Sequence, residues 1–180
     1  MTTKAGVAPT VRCDAIGNRN TTGCIVSAAE PILDYSTRNI PELATHVRYA
    51  QASGLPGDPA GTSPLRRLAD PVAQQTNRNI SCNRVPRPRP TGQQCDEYPF
   101  AATYQGGGAN GPARTYQGSC DVAQPAWVDT LATNPVPFKS STGISMCLLS
   151  ASQNQRAGGI LTWFYTKNRV LDNDTFYVKG

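Results

Sequence analysis

Six cysteines, at positions 13, 24, 82, 95, 120 and 147, constrain this chain more than any other feature. None stands in a Cys-x-x-Cys pair, and His46 is the only histidine. Structural zinc sites draw on closely spaced cysteine and histidine ligands, so such a site is not expected. An even number at loop-like spacings points instead to disulfides and to an oxidising destination. Pairing neighbours gives Cys13 with Cys24, Cys82 with Cys95 and Cys120 with Cys147, each closing a loop. Other connectivities stay open, and six buried free thiols are the plain alternative.

A chain of 180 residues suits one compact domain. With 15 prolines and 16 glycines, its core must be interrupted by many turns. No apolar run is long enough to cross a bilayer. The first six residues carry no apolar leader segment, so Met1 reads as the start of a mature or excised piece, although leaderless export would look the same. The expected architecture is a single loop-rich α+β domain over residues 1–180, a small sheet with two to three helices, stapled by disulfides. Residues 1–40 read as an irregular N-terminal portion and residues 41–180 as the core.

Within that core a helix is expected at 41–52. Asn39 and Glu42 supply an N-cap pair, Pro41 sits in the first turn and Gly54 ends the helix. Leu43, Val47 and Ala50 make its apolar stripe, bordered by His46. A Gly/Pro-rich loop follows, and then Asp70-Pro71 opens a short helix reaching about Asn79. Residues 84–92, Arg-Val-Pro-Arg-Pro-Arg-Pro-Thr-Gly, form a proline-stiffened basic stretch. Residues 105–113 form a loop and residues 144–149 a buried strand. A helix runs from near Ser152 to Asn168, and Phe176-Tyr177-Val178 forms a closing edge strand.

The chemistry concentrates in Cys95-Asp96-Glu97-Tyr98-Pro99-Phe100-Ala101. Two adjacent carboxylates stand beside aromatic residues in a chain with only 12 acidic residues and a net charge of +5. Surface charge paired with Arg84 or Arg89 is the plain reading. Against it, the aromatic flank and a bridged Cys95 would bury these groups, and a buried carboxylate needs an arginine or a metal. Asn154 faces the same way as Ala157 and Leu161 in the last helix. It either caps that helix, as Ser152 could, or offers its carbonyl oxygen to a hard cation. Thirteen of the 17 cationic residues are arginine, which binds phosphate bidentately. A basic face that merely solvates the fold would look the same. One histidine nearly excludes nucleophilic triads, and no Gly-x-Ser-x-Gly, P-loop or dinucleotide fingerprint is present. Gly106-Gly107-Gly108 neither follows a strand nor opens a helix, so it makes a poor phosphate cradle.

At these residues the chain resembles the NucA/NucB-type deoxyribonucleases, small secreted bacterial nucleases. The likeness rests on Cys95 to Ala101 with Gly106-Gly107 behind it, and on Asn154-Gln155-Arg156-Ala157-Gly158-Gly159 continuing to Phe164-Tyr165 and Arg169. The block Thr45-His46-Val47-Arg48-Tyr49-Ala50 resembles the upstream helix. The resemblance implies a ββα-metal-like core and a metal-dependent, largely sequence-non-specific endonuclease. Asp96 would be the general base, in place of the histidine of other ββα-metal nucleases. Glu97 and Asn154 would hold a divalent cation, Mg²⁺ or Mn²⁺. Beyond what the resemblance implies, Arg84, Arg87, Arg89, Arg114, Arg156, His46 and Gln153 are expected to contact DNA, Arg156 in a transition-state role, with RNA as an alternative substrate. Departures from the minimal members are the cysteine-bearing N-terminal portion and the segment between Cys120 and Cys147.

A secreted monomer with no membrane association is expected; a further reading, compatible with nuclease activity, is the toxic C-terminal domain of an interbacterial effector, with a cognate immunity protein as partner. The reading from another class is a disulfide-rich module that binds nucleic acid or another polyanion without catalysis.

Overall fold

The computed structural model describes residues 10–16, 21–26, 28, 30–85, 87–108, 111–115 and 139–180. Its centre is the strand β7 (Ile144–Ser150), flanked by antiparallel β5 (Gln93–Tyr98) and parallel β6 (Ala113–Thr115). The sequence run Ile-Ser-Met-Cys-Leu-Leu is buried on both faces, as the middle strand of a covered sheet must be. Ile144, Met146 and Leu148 pack with Val85 and Cys95 on one side. Cys147 and Leu149 join the main core on the other. That main core is formed with α1 (Pro41–Ala52) and the last helix, α3 (Ala151–Lys167). Helix α2 (Pro71–Cys82) covers the opposite face. Register pairs Gln93 with Ser150, and α3 starts at the next residue and folds back over β5 and β7. The result is a β–β–α unit inside an α+β domain.

A second sheet, with β8 (Thr175–Lys179) between β3 (Ile32–Asp34) and β4 (Leu65–Arg66), closes the main core. Phe176 is fully buried against Phe164 and Tyr165, at ring separations of 5.7 and 5.4 Å. The hairpin β1 (Val11–Ile16) and β2 (Thr21–Val26) carries the Cys13–Cys24 disulfide. It is tied to the body by polar contacts. Arg169 donates to the Asp14 carboxylate at 2.7 Å and to the Thr21 carbonyl at 2.8 Å, while Arg12 pairs with Asp174.

The Cys82–Cys95 disulfide is also formed, joining the end of α2 to β5. The expected bridge from Cys120 to Cys147 lies outside the described residues. Several expectations need correction. Residues 1–40 are not irregular throughout, because the hairpin and β3 fall within them. Their regular structure comes from a disulfide and tertiary ion pairs, not from strong local alternation. The strand at 176–178 is the middle strand of its sheet, not an edge, since β3 and β4 are too short to register in the sequence pattern.

Asn39 does not cap α1. The cap position is Ile40, and the backbone N–H of Glu42 is satisfied by the Gln153 side chain of α3 at 3.0 Å. Asp70 does cap α2, accepting from the backbone N–H groups of Val72 and Ala73, but that helix runs on to Cys82. The described residues 87–92 include bends and a turn and do not run as a straight strut, and Arg89 donates back to the Cys82 carbonyl at 2.7 Å.

Removing the Phe176 ring opens a cavity where three aromatic rings meet. Phe176→Ala is therefore expected to cost about 3–5 kcal/mol in urea unfolding, and Phe176→Leu less than about 2 kcal/mol.

Candidate active site

Among the described residues strand β5 is an edge strand, and consecutive side chains on a strand point to opposite faces. Gln94, Asp96 and Tyr98 face α1 and α3: Tyr98 accepts from Gln51 of α1 at 2.9 Å. Cys95 and Glu97 face α2, where Cys95 is bridged to Cys82. Asp96 and Glu97 are each 8 % exposed. A cleft of about 550 Å³ wraps around the open edge of β5, and both carboxylates reach it. Asn154 also lines it from α3, as do Arg78, Asn79 and Gln75 from α2 and Arg87 and Arg89 from the loop that follows. Gln75, Arg78, Asn79 and Cys82 recur at three- and four-residue spacing, so one face of α2 forms a wall.

His46 stands behind Asp96. On α1 it falls three residues after Leu43, on the stripe that turns inward, and it is fully buried. A buried imidazole must be hydrogen-bonded. Its Nδ1 lies 2.5 Å from Asp96 Oδ2 and its Nε2 lies 2.7 Å from Ser145 Oγ on β7. The contact commits one oxygen of the Asp96 carboxylate to the interior and fixes how that carboxylate meets the cleft.

Glu97 has poorer compensation. Burial and the neighbouring Asp96 charge raise its pKa from 4.5 to about 8. Arg78 Nε, 3.9 Å from Oε1, and a hydrogen bond from the Ala101 backbone pull the other way without offsetting burial. The Arg78 side chain is half exposed, so solvent screens its pull. The Cys82 sulfur lies 3.4 Å from Oε2. Since Cys82 and Cys95 are joined to each other, neither offers a thiolate to a metal beside Glu97.

On α3 the Asn154 amide donates to Gln94 Oε1 at 3.2 Å and to the Cys95 carbonyl at 3.4 Å. This covers an outward-facing group of the edge strand and leaves the amide's carbonyl oxygen as its second polar atom. Asn154 does not cap α3; the cap position is Ser150, whose backbone N–H donates to Glu42 at 2.6 Å.

Asp96, Glu97, Asn154, Arg87 and Arg89 thus meet in one cleft. The other expected substrate contacts do not. His46 is sealed behind Asp96, and the Gln153 amide is spent on Glu42 and the start of α1. Arg114 is 3 % exposed and donates to the carbonyls of Ser53, Pro112, Ser140 and Thr142, so it staples loops. Arg84 is exposed but does not line the cleft. Arg156 lies on the opposite side of α3, in a different depression. Sequence reasoning missed Arg78 and the part played by His46. The spacing of Arg78 from Gln75 and Cys82 was an available signal for the first; for the second, His46 stands at the edge of the α1 stripe, which does not by itself decide its burial.

A family model described as deoxyribonuclease NucA/NucB matches residues 57–130. Over this stretch, which is less than half of the chain, the protein is similar to that family. It covers α2, the arginine loop and the Asp96-Glu97 strand, whereas His46 and Asn154 lie outside it. No curated protein and no solved structure matches the chain.

The raised Glu97 pKa makes stability depend on pH. Between pH 4.5 and about 8 the folded protein keeps a proton that the unfolded chain has released, so stability falls as pH rises through that window. Glu97→Gln removes this slope. In EDTA the melting temperature of the variant should match that of the unmodified protein near pH 4.5 and exceed it by several degrees at pH 8.5.

Proposed function

We propose that the chain is a metal-dependent, largely sequence-non-specific endonuclease that hydrolyses DNA phosphodiester bonds in the cleft at the edge of β5. The observation carrying this reading is the pair Asp96 and Glu97 on the cleft floor beneath Arg78, Arg87 and Arg89, within a segment matching NucA/NucB deoxyribonucleases. Guanidinium groups pair with phosphate oxygens without reading bases. Carboxylates in the same cleft would repel a phosphodiester unless they held a cation or moved a proton.

The donor set fits a hard divalent cation such as Mg²⁺ or Mn²⁺. Glu97 is buried with only a distant arginine to oppose its charge, and Asn154 has an amide oxygen beyond its hydrogen bonds to Gln94 and Cys95. Both are oxygen donors of the kind such ions take. Glu97 and Asn154 would hold the ion, and bound there it would supply Lewis-acid stabilisation of charge on the phosphate and the leaving oxygen.

Asp96 takes a proton from a water as that water attacks phosphorus, and the P–O bond to the 3′ oxygen breaks, the 3′ oxygen leaving to take up a proton from solvent. His46 holds one Asp96 oxygen in place, leaving the other for the water. Arg87 and Arg89 hold the flanking phosphates, and Arg78 stands where charge accumulates next to Glu97. RNA carries the same phosphates and is the alternative substrate. The disulfides suit an oxidising, extracellular setting. Secretion as a free enzyme, or delivery as a toxin countered by an immunity protein, both follow from that reading.

Nicking of supercoiled plasmid with Mg²⁺ or Mn²⁺, and its loss in EDTA, is the direct test. Loss of a general base typically costs roughly 10²–10⁴-fold. Asp96→Asn should therefore cut at no more than about one hundredth of the normal rate while still shifting DNA in a gel. Full activity of that variant removes Asp96 as the base, and nicking undiminished by EDTA removes the cation. Binding without any nicking would return the chain to the class of polyanion-binding modules. At pH 8, millimolar Mn²⁺ should raise the melting temperature of the unmodified protein and leave that of Glu97→Gln unmoved.

A further inference from the structure

The side of α3 turned away from the cleft carries a second cluster. Arg156, Gly159, Ile160, Trp163 and Lys167 recur at three- and four-residue spacing, which places them on one face of the helix, along roughly 16 Å of its axis. Helix α3 contains no acidic residue. Trp163 is 50 % exposed, unusual for the largest apolar side chain. Lys167 Nζ lies 4.6 Å from its ring centroid, and Arg38, from the loop before α1, lies 5.8 Å away. Arg38, Arg156, Gly159, Ile160 and Trp163 line an open depression of about 420 Å³. Helical side chains lean back over the preceding turn, which for Trp163 is Gly159. A Cβ built on Gly159 would meet nothing within 4 Å, so the space beside the indole is open.

We propose that this face is a second nucleic-acid site, distinct from the cleft, that grips single-stranded DNA. Trp163 stacks on an unpaired base over the Gly159 gap, and Arg38, Arg156 and Lys167 hold phosphates on either side. The components are those of single-strand platforms: a flat ring that every base can stack on, and cations spaced along a shallow track. A duplex keeps its bases stacked on one another and offers the ring nothing beyond phosphate attraction. The site stands on its own geometry, whether or not the cleft cleaves.

The test is binding without cleavage, in EDTA, with a fluorescein-labelled oligothymidine and a duplex of equal length. Trp163→Ala should weaken oligothymidine binding roughly tenfold and leave duplex binding unchanged. Oligothymidine should quench Trp163 fluorescence, and Trp163→Phe should retain most of the affinity while removing that share of the quenching, leaving only what Trp127 contributes. Arg156→Gln with Lys167→Gln should reduce the slope of log K against log salt for the oligothymidine by about 1.4. Unchanged oligothymidine affinity in Trp163→Ala, an equal loss for duplex, or an unchanged salt slope in the double variant would each overturn the proposal. Because none of these measurements needs cleavage, their failure would not be confused with failure of the nuclease reading.

Discussion

Two neighbouring side chains of a strand cannot share a face, and at Asp96 and Glu97 both faces are covered. Everything at the cleft follows from that constraint. One carboxylate is turned towards α1 and must find a partner in the core; the other is turned towards α2, beside a disulfide. Only because β5 is an edge strand among the described residues do both still reach the same opening. A central strand would have separated them by the sheet itself. Covering the edge with another strand would have closed the cleft altogether.

The two carboxylates are therefore in different electrostatic situations. Asp96 sits against a fully buried histidine that is itself bonded to Ser145, so its position is determined by two layers of packing. Glu97 sits against sulfur and a half-exposed arginine, and burial pushes it up to about 8. A site holding one fixed carboxylate and one under-compensated carboxylate sacrifices stability as an apoprotein. Below about pH 8 a retained proton relieves that cost; above it, a positive charge in the cleft would. That is what distinguishes Glu97 from a surface acid, which would carry no such penalty.

How much of this was legible in the sequence depended on whether the signal was local. Helix α2 announced itself through Asp70-Pro71, β7 through its continuous apolar run, and α1 through Pro41 and its stripe. Two disulfides followed from closing short loops. What escaped was decided by distant contacts. Gln153 takes over the capping of α1 from a position more than a hundred residues away. The hairpin is held to the body by Arg12 and Arg169, and β8 becomes a middle strand because two very short segments come to lie beside it. At the site, the acidic pair and Asn154 could be picked out by their chemistry. The role of His46 could not, because whether the edge of a helical stripe is solvent or core is settled by what packs against it.

Arginine content was the least informative signal, for a physical reason. A guanidinium has five donors in a rigid fork, which suits it to bridging carbonyls inside a loop-rich protein as well as to binding phosphate. This chain uses many of its arginines in the first way. Arg114 gathers four carbonyls, Arg169 and Arg12 hold the hairpin, and Arg67 donates to the Val170 carbonyl while lying 4.6 Å from the Tyr165 ring. With so many turns, carbonyls left outside sheets and helices need donors, and arginine supplies several at once. Arginines committed to carbonyls keep their charge but not their freedom to pair bidentately with a phosphate. Part of the positive charge stands over the two carboxylates of the cleft and part surrounds Trp163 on the far side of α3. A uniformly basic surface would hold nucleic acid anywhere. The cleft sets its arginines over two acids, whereas the far face of α3 sets its cations around an aromatic ring, so the two faces have different chemistry.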